Sequence, residues 1–148
     1  MKRINYLQLI LGAVITVLAV SAVQAKESSV DVTYYALSKH FNNEFDYNES
    51  NHKFIGLSYN LADSGHTFSY ATFNNSYNVR SHLISWGYRW QLAQYVESSL
   101  NVGATTGYGY CDVCPIVEAG IKYTKFKYIQ PKVSFFAGAA VLSFSARF

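Results

Sequence analysis

The sequence predicts an all-β fold, an eight-stranded antiparallel up-and-down β-barrel that spans a membrane. Three observations predict it. Apolar and polar residues alternate with period two through most of the chain after residue 25. Aromatic residues make up 17% of the 148 residues, with 13 Tyr and 10 Phe, a usage that suits pleated strands and the interfacial girdles of membrane barrels. The chain also ends on Phe148 in an alternating apolar run.

The strands follow in order. The first covers about residues 29–40. The second, 53–61, sets Ile55, Leu57, Tyr59 and Leu61 on one face against Gly56, Ser58 and Asn60. A short turn at 62–65 leads to the third, 66–73, and a polar loop at 74–78 to the fourth. The fourth alternates most plainly: Ile84, Trp86, Tyr88, Trp90 and Leu92 oppose Ser85, Gly87, Arg89 and Gln91. The fifth spans about 95–106, and residues 107–114 read as a loop. The sixth is 116–124, with Val117, Ala119, Ile121 and Tyr123 outward. The seventh is about 126–134 and the eighth 140–148. Strands of roughly 9–11 residues cross a bilayer, and closure leaves no unpaired backbone edge in lipid. A soluble periplasmic sandwich would explain the alternation, but not the terminal Phe148 or the aromatic outer faces.

Ahead of the barrel, residues 1–25 read as a cleaved signal peptide, which leaves 26–148 as one barrel domain. Lys2 and Arg3 form a basic start, an apolar stretch follows from Leu7, and Val23-Gln24-Ala25 supplies small residues at the cleavage site. The expected location is therefore the bacterial outer membrane. The terminal Phe148 resembles the signal read by the barrel-assembly machinery, and a monomer is expected. No later segment is apolar enough for a membrane helix.

Hydrophobic residues are 50% and charged residues 14%, yet mean hydropathy is only +0.02. Apolar residues are thus interleaved with uncharged polar ones. Without Lys2 and Arg3 the chain carries ten basic and nine acidic groups. No basic cluster offers a footprint for nucleic acid, and no cofactor motif is present. Eight strands leave an interior that side chains fill, which disfavours a pore.

Three residues carry candidate chemistry. His40 ends the first strand, and Asn75 and Ser76 lie in the next outward loop. Up-and-down topology brings both loops to one rim. A histidine can serve as base to a serine nucleophile; a solvated loop histidine and a turn serine are the alternative. Cys111 and Cys114 form a C-x-x-C. In an exported protein this reads as a local disulfide bracing a loop, since two cysteines cannot close a structural zinc site. His52, His66 and His82 lack metal-ligand spacing.

The stretches HFNNEFDYNESNHKFIGLSY (40–59) and YATFNNSYNVRSHLISWGYRW (70–90) resemble the first outward loop and following strands of the outer-membrane lipid A palmitoyltransferase family. The resemblance implies acyl transfer from a phospholipid to the lipid A of lipopolysaccharide, with His40 as base and Ser76 as catalytic hydroxyl. Asn75 stands where the family has Asp; Asp46, Glu44 or Glu49 could supply the missing carboxylate. Arg89 stands where the family has a glycine at the floor of the acyl-chain pocket, and Glu97 or Glu118 could pair with it. Pro115 and Pro131 map where the family opens a lateral lipid gate. The competing expectation is a non-enzymatic barrel whose surface loops act in adhesion, receptor masking or envelope integrity.

Overall fold

The computed structural model describes residues 28–41, 47, 49–50, 52–62, 64–136 and 138–148. The signal segment expected at 1–25 lies outside them. Eight antiparallel strands, each paired with its sequence neighbours, close into a barrel. They are β1 (Ser29–His40), β2 (Ile55–Asn60), β3 (His66–Asn74), β4 (Arg80–Ala93), β5 (Val96–Tyr108), β6 (Cys111–Tyr123), β7 (Gln130–Phe136) and β8 (Ala139–Arg147). β1 closes on β8 from Asp31↔Arg147 to His40↔Ala139.

The alternation explains which face each residue takes. Outward positions are apolar and about half exposed: Ile55 54%, Leu57 52%, Ile84 62%, Val117 61%, Ile121 55% and Phe135 58%. In water such a continuous apolar belt would be a liability; against lipid it is the required surface. Most inward positions are small or polar, and Ser81, Thr105, Ser134 and Ser145 are all buried. The molecule is thus inside out relative to a soluble domain. At Gly87, on the inner face of β4, an added Cβ would run into the Leu100 carbonyl and the Asn101 amide of β5. Only glycine lets these two long strands approach so closely.

Two expected boundaries change. Residues 111–114 are not loop. The β5–β6 ladder continues through Thr105↔Cys114, Thr106↔Val113 and Tyr108↔Cys111, leaving only residues 109 and 110 as the turn. The seventh strand begins at Gln130, not near 126, because the β7–β8 ladder starts with Gln130↔Ser145. Lys125, Phe126, Lys127 and Tyr128 alternate like a strand but lie in a turn. There Lys127 stacks over the rings of Tyr128 and Phe148.

The rim holding His40 carries the longest connection, 41–54, and is called outer here; β1 begins and β8 ends at the inner rim. Two seams are incompletely zipped at the outer end. The β6–β7 ladder ends at Glu118↔Phe136, so residues 111–117 have no β7 partner. The β1–β2 ladder ends at Thr33↔Gly56, so residues 34–40 have no β2 partner. His52 fills this second gap. Its Nδ1 bonds the Asn74 carbonyl and its Nε2 the Ser38 hydroxyl, both at 2.9 Å. A carbonyl only accepts, so Nδ1 carries the proton and Ser38 donates to Nε2.

Candidate functional site

Ser76 and His40 meet at the outer rim. The Ser76 Oγ lies 2.9 Å from the His40 Nε2. β1 delivers His40 at its last residue. The β3–β4 turn delivers Ser76, two residues after β3 ends at Asn74. Tyr47 stacks on the His40 imidazole, with centroids 4.0 Å apart and planes 14° from parallel. The packed ring limits rotation of His40 and holds Nε2 toward the hydroxyl. A base within hydrogen-bond reach of a hydroxyl is the first requirement of nucleophilic activation.

The third member expected beside them does not join. Asn75 is buried, 1% exposed, and its amide is engaged by backbone. Oδ1 accepts from the N–H groups of Tyr77 (2.9 Å) and Val79 (3.1 Å), and Nδ2 donates to the Gly107 carbonyl at 2.7 Å. These bonds shape the turn and tie it to the β5–β6 hairpin, so Asn75 is a positioning residue for Ser76 and not a partner of the imidazole. Asn78, with φ of 61°, completes the turn by donating its N–H to the Asn75 carbonyl. Asparagine tolerates that left-handed backbone.

His40 Nδ1 is buried and has no hydrogen-bond partner among the described residues. Of the three candidate carboxylates, Glu44 and Asp46 lie outside the described residues. Glu49 is present but turned elsewhere: it pairs with Lys39 at 2.9 Å and accepts the His40 backbone N–H at 3.3 Å. The Lys39 ammonium, then that N–H, hold the Glu49 carboxyl below its ordinary value.

Below the pair lies a cavity of about 480 Å³. Its mouth is lined by His40, Ser76 and the largely exposed Phe41 and Tyr110. A collar of Phe54, Phe73, Leu83 and Phe136 follows, with Phe54 stacked on Phe73. Deeper, the lining turns to serine hydroxyls and then to charge.

The floor is an ion network. Arg89 pairs with Glu97 at 3.0 Å. Arg147 bridges Glu97 and Asp31, and Lys122 reaches Asp31 at 2.6 Å. Lys132 pairs with Glu118 at 2.6 Å, and Asn101 donates to the same carboxylate. Arg89 lines the cavity, and Glu97 is the carboxylate that pairs with it. The sequence reading puts Arg147 on the polar inner face but gives it no partner, and it missed Asp31, Lys122 and Lys132 as members. Their inward parity was legible, but their partners depend on the stagger of the closed barrel.

The two prolines separate. Pro115 lies within the part of β6 that β7 leaves unpaired, opposite Ala104 of β5. Proline offers no N–H to a neighbouring strand, which suits an open seam. Pro131 lies at the other end, opposite Phe144 and beyond the last β6–β7 pair. Only Pro115 borders the opening; Pro131 does not, because the register carries it to the inner rim.

Cys111 and Cys114 are disulfide-bonded, with Cα atoms 5.5 Å apart, at the start of β6. Thiol labelling of the unreduced, denatured protein should therefore be negligible. A bond that closes so short a loop removes little chain entropy. The Cys111→Ser, Cys114→Ser double variant should lose only about 2 kcal/mol or less in urea unfolding. A larger loss would mean that the bond holds more than the hairpin tip.

No protein-family model matches the chain, and no curated protein matches it. Solved structures do. A de novo designed transmembrane β-barrel matches with a TM-score of 0.56 at 10% identity, over 86% of this chain and 98% of that one. The Yersinia pestis outer membrane protein Ail, in a phospholipid bilayer nanodisc, matches with a TM-score of 0.54 at 16% identity, over 83% of this chain and 99% of that one. At these identities the likeness is one of fold, and the fold is a transmembrane β-barrel.

Proposed function

We propose that the protein works in a bacterial outer membrane on the acyl esters of outer-leaflet lipids, with Ser76 as nucleophile and His40 as general base. The observation that carries this reading is the 2.9 Å contact between Ser76 Oγ and His40 Nε2 at the cavity mouth. The unpaired stretch of β6 beside Pro115 supports it by offering lipid a lateral path to that rim. In the reaction, the Ser76 proton passes to Nε2 as Oγ attacks the ester carbonyl. The tetrahedral intermediate collapses, the ester C–O bond breaks, and His40 returns the proton to the departing lipid oxygen. Water or an acceptor hydroxyl then releases the acyl group from Ser76 by the same steps, giving hydrolysis or transfer. Among the described residues no carboxylate bonds Nδ1. Loss of that group costs a serine–histidine–aspartate enzyme about 10⁴-fold, so slow turnover is expected of the pair acting with the described residues alone.

A second reading is favoured by a separate observation. Tyr47, Tyr77, Tyr108 and Tyr110 form a linked aromatic cluster at the outer rim. Tyr110 is 72% exposed and Phe41 66%. Such a rim suits a non-enzymatic barrel that acts through contact in adhesion, receptor masking or envelope integrity.

One experiment separates the two. Lipid A and phospholipids from cells expressing the protein, His40→Ala or Ser76→Ala should be compared by mass spectrometry. Each variant should abolish the modification, and the double variant should do no worse than either single, as expected of groups that act as a unit. The folded barrels should persist, since neither residue packs a core. Lipids identical in all strains, including wild type against empty vector, would sink the enzyme reading and leave the second.

A further inference from the structure

The cavity has an apolar collar only one layer deep. Beneath it Ser58, Ser69, Ser85, Ser99, Ser134 and Ser143 line the wall. An acyl chain pushed past the collar would bury methylenes against these hydroxyls and the charged floor. It would strip polar groups of water and return no hydrogen bonds, a cost that apolar burial there does not offset. A long hydrocarbon is therefore the wrong occupant for the lower cavity.

The floor has a sign. Among the described residues it contains four cations, Arg89, Lys122, Lys132 and Arg147, against three carboxylates, Asp31, Glu97 and Glu118. One positive charge is left without an internal counterpart. Arg89 also lines the cavity and is only 4% exposed. Its Nη groups are engaged by Glu97 and the Leu61 carbonyl, but its buried Nε has no hydrogen-bond partner among the described residues. An unsatisfied buried donor on a cation is expensive unless an acceptor reaches it.

We infer that the lower cavity is a binding site for a small hydroxylated anion of the sugar-acid kind. The carboxylate balances the surplus charge and accepts from Arg89. The hydroxyls exchange hydrogen bonds with the serine belt, and the rings of the collar and rim cover the carbon face. A volume of about 480 Å³ lies in the ordinary range for small-molecule pockets. This inference does not rest on the rim chemistry, because its ligand contacts lie below the Ser76–His40 pair.

The test is calorimetry on the full barrel, refolded in an uncharged detergent, with three probes. Glucuronate carries both charge and hydroxyls, glucose only the hydroxyls, and butyrate only the charge. Glucuronate should bind saturably, and each of the others should bind at least about tenfold more weakly, the cost of one missing charge-assisted set of contacts. Arg89→Gln makes the floor neutral while Arg147 still holds Glu97. It should weaken glucuronate by about tenfold or more and bring it level with glucose. Heat-dependent gel migration checks that this variant folds. If it does not fold, Ser99→Leu, which puts apolar bulk in the hydroxyl belt, should give the same loss. No saturable heat from glucuronate, equal binding of glucose or butyrate, or unchanged affinity in the folded variant would overturn the inference.

Discussion

Asp31→Ala is expected to destabilise the barrel by about 3–5 kcal/mol, the cost of removing one partner from a buried ionic cluster. Asp31 is 3% exposed. It accepts from Lys122 Nζ at 2.6 Å, Arg147 Nε at 2.7 Å and Arg147 Nη2 at 2.8 Å. Without it, Lys122 has no carboxylate in contact among the described residues, and Glu97 is left to Arg89 and Arg147. The surplus positive charge then doubles in a confined interior. The arithmetic also predicts which change hurts less. Arg147→Met leaves three cations and three carboxylates, with Lys122 still on Asp31 and Arg89 still on Glu97. It should cost clearly less than Asp31→Ala although it removes more hydrogen bonds. Adding Lys122→Met to Asp31→Ala removes the stranded cation and should recover part of the loss. Urea unfolding of each variant in phospholipid vesicles, followed by tryptophan fluorescence, measures the order. If Arg147→Met proved the more damaging, charge balance would not be what holds the floor together.

The same floor shows what alternation can and cannot reveal. Because lipid lies outside and polar groups inside, parity alone sorted Arg89 inward and Ile84 outward. Eight strands followed, and with them the shared rim of His40 and Ser76, since up-and-down topology places the first and second outward connections side by side. Parity failed at Lys125 to Tyr128, where basic and aromatic residues alternate without a ladder partner. It was also silent about residues 111–114, where a glycine-rich tip and two cysteines read as loop while the hairpin in fact continues. The partners inside the barrel were out of reach for a further reason. Asp31 and Arg147 sit 116 residues apart and meet only because β1 closes on β8 in one register. Tyr47 lies in a polar connection with no periodicity, so nothing local marked it as the ring that packs on His40.

Asn75 was the residue most open to misreading, and the expected outcome of changing it is reversed by the structure. By resemblance, Asn75→Asp should restore a carboxylate to the histidine and raise activity. In the folded protein the amide faces the other way. An aspartate there would keep the two N–H bonds from Tyr77 and Val79 through one oxygen. The other oxygen would replace Nδ2 against the Gly107 carbonyl, setting two acceptors face to face at a position now spanned by a 2.7 Å bond. Gly107 cannot easily yield. Its φ of 89° is a glycine conformation, and an added Cβ there would run into Ser81. A buried acceptor left without a donor costs about 1–3 kcal/mol, and more when charged. Asn75→Asp should therefore lower the unfolding midpoint and loosen the β3–β4 turn from the β5–β6 hairpin. Ser76, the next residue, would move off His40, and any lipid modification should fall with it. Asn75→Ala, which removes all three bonds, should do the same without adding charge. Both variants can be scored by urea midpoint and by lipid mass spectrometry. A gain of activity in Asn75→Asp would require the carboxylate to reach Nδ1 of His40, and so a turn built differently from the one described.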